Sequence, residues 1–274
     1  MKHTLTLLTV LLLAGSVYAA NPFFAMDTAV RNLDELDTVK QLGYAGIGWK
    51  GVPPEQLAAD VKRVQEHGLK LFAIYTGATL TKSNLTWSPH LEADMVALKS
   101  TGAAIWMPIN SKDFPRSSPE GDQVAVPDLL RLSELAAASG LRVAIYPHTG
   151  CWAERVQDAV RLAKKVNRKN FGVTFNLCHC LKVGDEVKIP ELLAEAGPHL
   201  FLVTINGADK YEENFKWDRL IRPLDEGSYD VGIVLRKLKE LNYTGPIGLQ
   251  AFGLKIPVKE SLTRSMNGWR KLNP

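Results

Sequence analysis

The chain has 274 residues, is 46% hydrophobic and 23% charged, and carries a formal net charge of +4. That balance excludes a disordered chain. Lys and Arg are scattered through helical stretches with no aromatic-interleaved basic patch, which excludes nucleic acid as the expected partner.

The first residues read as an address. Lys2 and His3 head an apolar run from Leu5 to Leu13, and Val17-Tyr18-Ala19 places small residues where a signal peptidase cuts. Residues 1–19 are therefore expected to be a secretory signal peptide and 20–274 an exported barrel, periplasmic or extracellular. A buried N-terminal helix is the alternative. No later run is long and apolar enough to suggest a membrane span.

Beyond the leader, a unit of helix, glycine and short apolar run recurs. Gly43, Gly68, Gly102, Gly140 and Gly197 each precede such a run, as expected if each glycine closes a helix in a left-handed turn before a strand. The runs begin at Tyr44, Leu69, Ala103, Leu141 and Pro198, and Phe23 to Met26, Phe171 to Phe175 and Pro246 to Gln250 complete eight. Between them lie helical patterns such as Leu33-Leu36-Val39-Leu42, Leu57-Val61-Val64, Leu129 to Leu135 and Val156 to Val166, with Val231 to Leu241 and Val258 to Leu272 last. Strands apolar on both faces and alternating with helices predict parallel units. Eight of them in about 250 residues predict an α/β fold, a single-domain (β/α)8 TIM barrel, with an open doubly wound sheet as the alternative. No glycine-rich phosphate loop follows any strand. Residues 110–126 and 208–230 read as long irregular loops on the functional face.

In such a barrel chemistry sits at the C-terminal strand ends. The residues there are Asp27, Trp49, Tyr75, Asn110, Tyr146-Pro-His148, Asn176-Leu-Cys-His179, Asn206-Gly-Ala-Asp209 and Gln250. One Asn after a strand is ordinarily a turn former or helix cap. Polar groups after almost every strand point instead to a shared site. The three cysteines, Cys151, Cys178 and Cys180, read as buried small residues, with one disulfide and a spare thiol as the alternative.

Tyr146-Pro-His148, Phe175-Asn-Leu-Cys-His179, Asn206-Gly-Ala-Asp209, Gly245 to Gln250 and Ser265 to Trp269 resemble the sugar phosphate isomerase/epimerase proteins, the xylose-isomerase-like TIM barrels. The resemblance runs from the first strand to the final helix. It implies a divalent metal held by Glu, Asp, His and Glu after strands 5 to 8. The matching positions here are Tyr146, Asn176, Asn206 and Gln250, a phenol and three amides, so no residue is assigned as a metal ligand. Amide oxygens carry no charge to offset a hard cation's lost hydration. A divalent metal ion stays an open alternative, through His148 and His179. The amides, each donor and acceptor, suit sugar hydroxyls, and Trp49, Tyr75 and Trp152 offer apolar ring faces.

The resulting expectation is an exported isomerase/epimerase- or lyase-like enzyme acting on an unphosphorylated sugar or keto-sugar. His179 is the first choice of general base, His148 orients or protonates the substrate, and Glu154 and Asp209 stand next. Glu154 alternatively compensates a helix N-terminus. Asp27, Tyr75, Asn110, Tyr146, Asn176, Asn206, Asp209 and Gln250 are the expected substrate contacts. The alternative is a carbohydrate-binding barrel without catalysis. A glycoside hydrolase is the third reading, but no two of Asp27, Glu154 and Asp209 are spaced in a way that pairs them.

Overall fold

The computed structural model describes residues 21–210, 212 and 215–273. The expected signal peptide lies outside the described residues. Eight parallel strands form the barrel: β1 (Phe23–Ala25), β2 (Gly46–Lys50), β3 (Lys70–Tyr75), β4 (Ala104–Met107), β5 (Arg142–Ile145), β6 (Phe171–Asn176), β7 (Leu200–Ile205) and β8 (Ile247–Leu249). β1 pairs with both β2 and β8, which closes the sheet and rules out the open alternative. The main helices are α1 (Leu36–Leu42), α2 (Pro54–Glu66), α3 (Leu91–Ala97), α4 (Asp122–Ala138), α5 (Val156–Val166), α6 (Ile189–Ala196), α7 (Gly232–Glu240) and α8 (Val258–Leu272).

Strand alternation sorts side chains into two cores. One set packs outward: Phe23 of β1 stacks on Trp269 of α8 with ring centroids 4.3 Å apart. The other fills the barrel: Phe24, Ala73, Ala104, Trp106, Ala144, Tyr146 and Leu202 form a separate buried cluster. Bulk alternates with small residues there. A Cβ at Gly248 would lie 2.4 Å from the Phe24 ring, so that ring occupies space only glycine leaves. Trp106 is fully buried and donates its indole N–H to Thr174 at 2.9 Å. Together these side chains make an aromatic floor beneath the C-terminal mouth.

Three sequence expectations need correction. Gly43, Gly68, Gly102 and Gly140 do take positive φ between +67° and +92°. Gly197 does not: its φ is −42°, and it begins the 3-10 turn Gly197–His199. The run after Gly102 does not stay in one strand. Pro108 has no N–H to continue the ladder, and Ile109–Ser111 leaves the barrel to join a small sheet with Ala78–Leu80 and Leu85–Trp87. Residues 110–126 are also less irregular than expected. The 3-10 turn Pro119–Gly121 leads straight into α4 at Asp122, where Arg161 and Lys165 hold the Asp122 carboxylate at 2.9 and 2.8 Å.

Candidate active site

The strands deliver a cavity of about 350 Å³ to the C-terminal mouth. Asp27 follows β1, Tyr75 ends β3, Tyr146 and His148 follow β5, His179 follows β6, and Gln250 follows β8; all six line the cavity. Met26, Thr28, Cys178, Trp217, Ile221 and Phe252 complete the wall. No Arg or Lys is among these residues.

Tyr146 stands at the centre. Its ring rests on Trp106 with centroids 4.8 Å apart. The edges of Tyr75, His148 and His179 surround it at 5.6, 5.5 and 5.4 Å. Burial pushes its phenol well above the usual range, reinforced by Cys178 and Tyr75 and offset in part by a hydrogen bond from Gln250. It therefore stays protonated at any ordinary pH.

The two histidines face each other with ring centroids 4.0 Å apart, yet their hydrogen bonds make them different. Nδ1 of His179 lies 3.3 Å from the N–H of Thr149 and 3.2 Å from the Thr149 hydroxyl. A backbone N–H only donates, so this nitrogen holds a lone pair and the neutral ring carries its hydrogen on Nε2. Nδ1 of His148 lies 3.0 Å from the Thr149 carbonyl oxygen, which only accepts. That nitrogen carries the hydrogen, and Nε2 keeps a lone pair. The Cys151 thiol, 3.5 Å from His148 Nδ1, passes its own S–H to Asn110 Oδ1 at 3.1 Å. One residue, Thr149, thus sets opposite tautomers in the two rings. Burial lowers the His148 pKa below 6.5, and burial together with the neighbouring His148 lowers that of His179 further. Both rings are neutral at neutral pH. Burial also raises the Asp27 carboxyl, although Thr28 and Lys50 act against it.

The remaining sequence candidates stand elsewhere. Asn110 is exposed and accepts from Cys151. Glu154 accepts from the Gly150 N–H at 2.7 Å and approaches Arg116 at 3.6 Å, so it braces the loop after β5. Asn176 is buried behind Tyr146, donating to its hydroxyl at 2.7 Å. Its Oδ1 caps the helix Leu177–Lys182 through the His179 N–H. Asn206 donates to the carbonyls of Gly207 and Leu220 at 2.8 and 2.7 Å, fastening the loop after β7. Asp209 is bound by Arg219 and, at 3.0 Å, by Arg222. Burial pushes its carboxyl up, but the Arg219 hydrogen bond leads the contacts that bring it below the usual range. None of these five lines the cavity.

Trp49 and Trp152 are not ring platforms either. Trp49 donates to Asp60 at 2.8 Å and Trp152 to the Ser118 carbonyl at 2.9 Å, and both are buried. The aromatic walls are instead Trp217, whose ring meets His179 edge-on at 5.3 Å, and Phe252, 60% exposed at the rim. Trp217 opens the four-residue helix Trp217–Leu220 and Phe252 sits in a loop, so no periodicity marks either. A Phe three residues past the last strand is the one signal the sequence held.

The donor set at the four family ligand positions does not fit a hard cation. Tyr146 is a neutral phenol. The Asn176 oxygen takes the His179 N–H and the Cys178 S–H, and the Gln250 oxygen takes Thr28, Ala251 and Phe252. Only Asn206 Oδ1 has no protein partner. Among the described residues, no group of three or more His, Cys, Asp and Glu is placed to hold a metal ion. His179 offers no lone pair at Nε2 in the tautomer that Thr149 sets. The three cysteines are buried and unbridged.

Residues 36–272 match the family of xylose isomerase-like TIM barrels, and the chain belongs to that family. It is similar to an uncharacterized protein of Methanocaldococcus jannaschii, 27% identical over 104 residues. That match spans 38% of this chain and about a third (33%) of the relative's length. Among solved structures, a zinc-binding IolI protein superposes with a TM-score of 0.72 at 17% identity, covering 92% of this chain and 97% of that one. D-allulose 3-epimerase from Methylomonas sp. gives 0.70 at 15% identity, with 92% and 98% covered. At such identities the likeness speaks for the fold.

Proposed function

We propose that this chain is an isomerase- or epimerase-like enzyme, with a lyase as the related option, acting on an unphosphorylated sugar or keto-sugar at the barrel mouth. The observation that carries the reading is the histidine pair: two neutral rings of opposite tautomer, 4.0 Å apart, both lining one cavity. Removing a proton next to a carbonyl needs a base present in its neutral form. His148 Nε2 has that form, and His179 Nε2–H supplies a donor beside it. The roles are thereby the reverse of the sequence expectation, which made His179 the base. Tautomers are fixed by neighbours in space, so the sequence did not carry them.

The wall chemistry selects the substrate class. A phosphate group asks for a cationic side chain, and this cavity supplies none while Asp27 adds acidity. Asp27, Thr28 and Tyr75 suit hydroxyl groups, and Trp217 and Phe252 suit the apolar face of a sugar ring. The similar epimerase fold agrees with this class. The chain is further proposed to act in the periplasm or outside the cell. N-terminal sequencing of the exported form should begin at Ala20, and a full-length cytoplasmic protein would refute the export proposal.

A second reading, a carbohydrate-binding barrel without turnover, is favoured by the loss of all four family ligands. EDTA-treated protein incubated with ketohexoses and 3-keto-glucosides in D2O separates the two. Deuterium entering a carbon next to the carbonyl supports the enzyme. Binding without exchange supports the binding barrel, and neither binding nor exchange removes both.

A further inference from the structure

The expected amide ring turned inward on Tyr146 is the feature that carries most. Asn176 Nδ2 donates to that phenol oxygen at 2.7 Å, and Gln250 lies near enough to act against the rise of its pKa. Neither amide can flip. Asn176 Oδ1 is held by a backbone N–H, that of His179, and by the Cys178 thiol at 3.0 Å. Gln250 Oε1 is held by the Thr28 hydroxyl at 2.6 Å and by the N–H groups of Ala251 and Phe252 at 2.9 and 3.0 Å. Reversing either amide would set an N–H against a backbone N–H. One lone pair of the Tyr146 oxygen is thus taken by a donor, and among the described residues no hydrogen bond runs from this hydroxyl to a protein acceptor. Tyr146 lines the cavity, so that O–H is available to a ligand there.

We infer that the Tyr146 hydroxyl is a catalytic hydrogen-bond donor that stabilises the oxyanion formed from the substrate carbonyl, at a position where the family places a metal ligand. The inference rests on the enzyme reading above. In the step it describes, His148 Nε2 takes the proton from the carbon beside the carbonyl. The C–H bonding pair becomes the new carbon–carbon π bond, and the carbonyl π pair moves onto oxygen. Tyr146 donates to that oxygen without losing its proton, which burial holds firmly on the phenol. The proton then returns from His148 to either face of the same carbon or, after transfer through the oxygens, to its neighbour. No oxidant or further reactant is needed.

A donor aimed at developing charge strengthens in the transition state more than in the bound substrate. Asn176 acts through Tyr146 as a positioning residue, because its N–H on the phenol oxygen turns the hydroxyl hydrogen away from that side. This accounts for an amide at the Asn176 position, behind Tyr146 and away from the cavity wall that Gln250 joins.

The test is solvent exchange by EDTA-treated wild type and Tyr146→Phe on D-fructose, D-allulose and 3-keto-glucosides in D2O. Tyr146→Phe is expected to lower kcat by roughly 10²–10³-fold, the scale of one lost oxyanion donor, with KM within about twofold. Equal kcat in the variant overturns the inference while leaving the enzyme reading standing. Wild-type exchange that vanishes with EDTA and returns with Mn²⁺ or Zn²⁺ also overturns it, and needs no variant to fold. No exchange by wild type on any of these sugars overturns the enzyme reading, and this inference with it.

Discussion

Two corners of the same mouth are built on opposite principles. After β7, charged groups in the loop base pair with one another: Asp209 with Arg219 and Arg222, Glu226 with Arg222 and Arg264, Asp225 with Arg264. After β5 and β6, the polar groups are neutral, with Tyr146 and His179 buried and His148 half-buried, and all three line the cavity. The first corner uses charge to hold a loop in place, with Trp217 on it. The second keeps charge out, so that hydrogen bonds and proton transfers act at low dielectric strength, where they are worth most. A strongly paired carboxylate such as Asp209 is the wrong kind of group for proton transfer, since its pKa lies below even the ordinary carboxylate.

This contrast is broken most sharply by substituting one member of each corner. His148→Gln keeps a hydrogen-bonding side chain but removes the base. It should cost roughly 10²–10⁴-fold in deuterium exchange, the usual scale for a general base, with melting temperature hardly changed. Asp209→Asn should behave the other way. Weakening the ionic contacts of Asp209 with the partly exposed Arg219 and Arg222 costs on the order of 1 kcal/mol, read as a melting temperature lower by roughly 2–4 °C. KM should rise severalfold as Trp217 loses its anchorage, while kcat stays within about threefold. If Asp209→Asn abolished kcat and His148→Gln did not, the two corners would have to exchange roles.

A smaller effect sharpens the same comparison through pH. His148 and His179 have folded pKa values below the 6.5 of an exposed histidine. Below pH 6.5 the unfolded chain binds protons that the folded chain resists, so stability falls as pH falls. Above pH 6.5 these groups contribute no slope. The double variant His148→Gln with His179→Gln should therefore lose less melting temperature than wild type between pH 7 and 5. An identical slope in both proteins would mean that the pair is not held neutral by the fold.

The alternation of apolar runs and helices made the barrel legible, because burial on both strand faces leaves a mark in every strand. Six of the strand-end residues, Asp27, Tyr75, Tyr146, His148, His179 and Gln250, line one cavity. Direction was illegible. Asn176 and Gln250 sit at the rim in sequence, but their side chains turn toward Tyr146 and toward backbone N–H groups. Asn206 turns down into its own loop. Trp217 reaches the cavity from a short helix in a segment tied by ion pairs between Asp209, Arg219 and Arg222, residues up to 13 positions apart (209 to 222) with no periodic pattern, and Phe252 reaches it from the loop after β8. Pro108 was visible, yet its consequence, a strand leaving the barrel for a second sheet, needed partners from residues 78–87.

The account rests on two neutral imidazoles of opposite tautomer, and long-range ¹H–¹⁵N NMR of histidine-labelled protein reads both directly. At pH 7.5, His148 should show a protonated Nδ1 and a bare Nε2, and His179 a bare Nδ1 and a protonated Nε2, with His148→Gln and His179→Gln assigning the signals. The same tautomer in both rings, or a doubly protonated ring in either, would contradict the account.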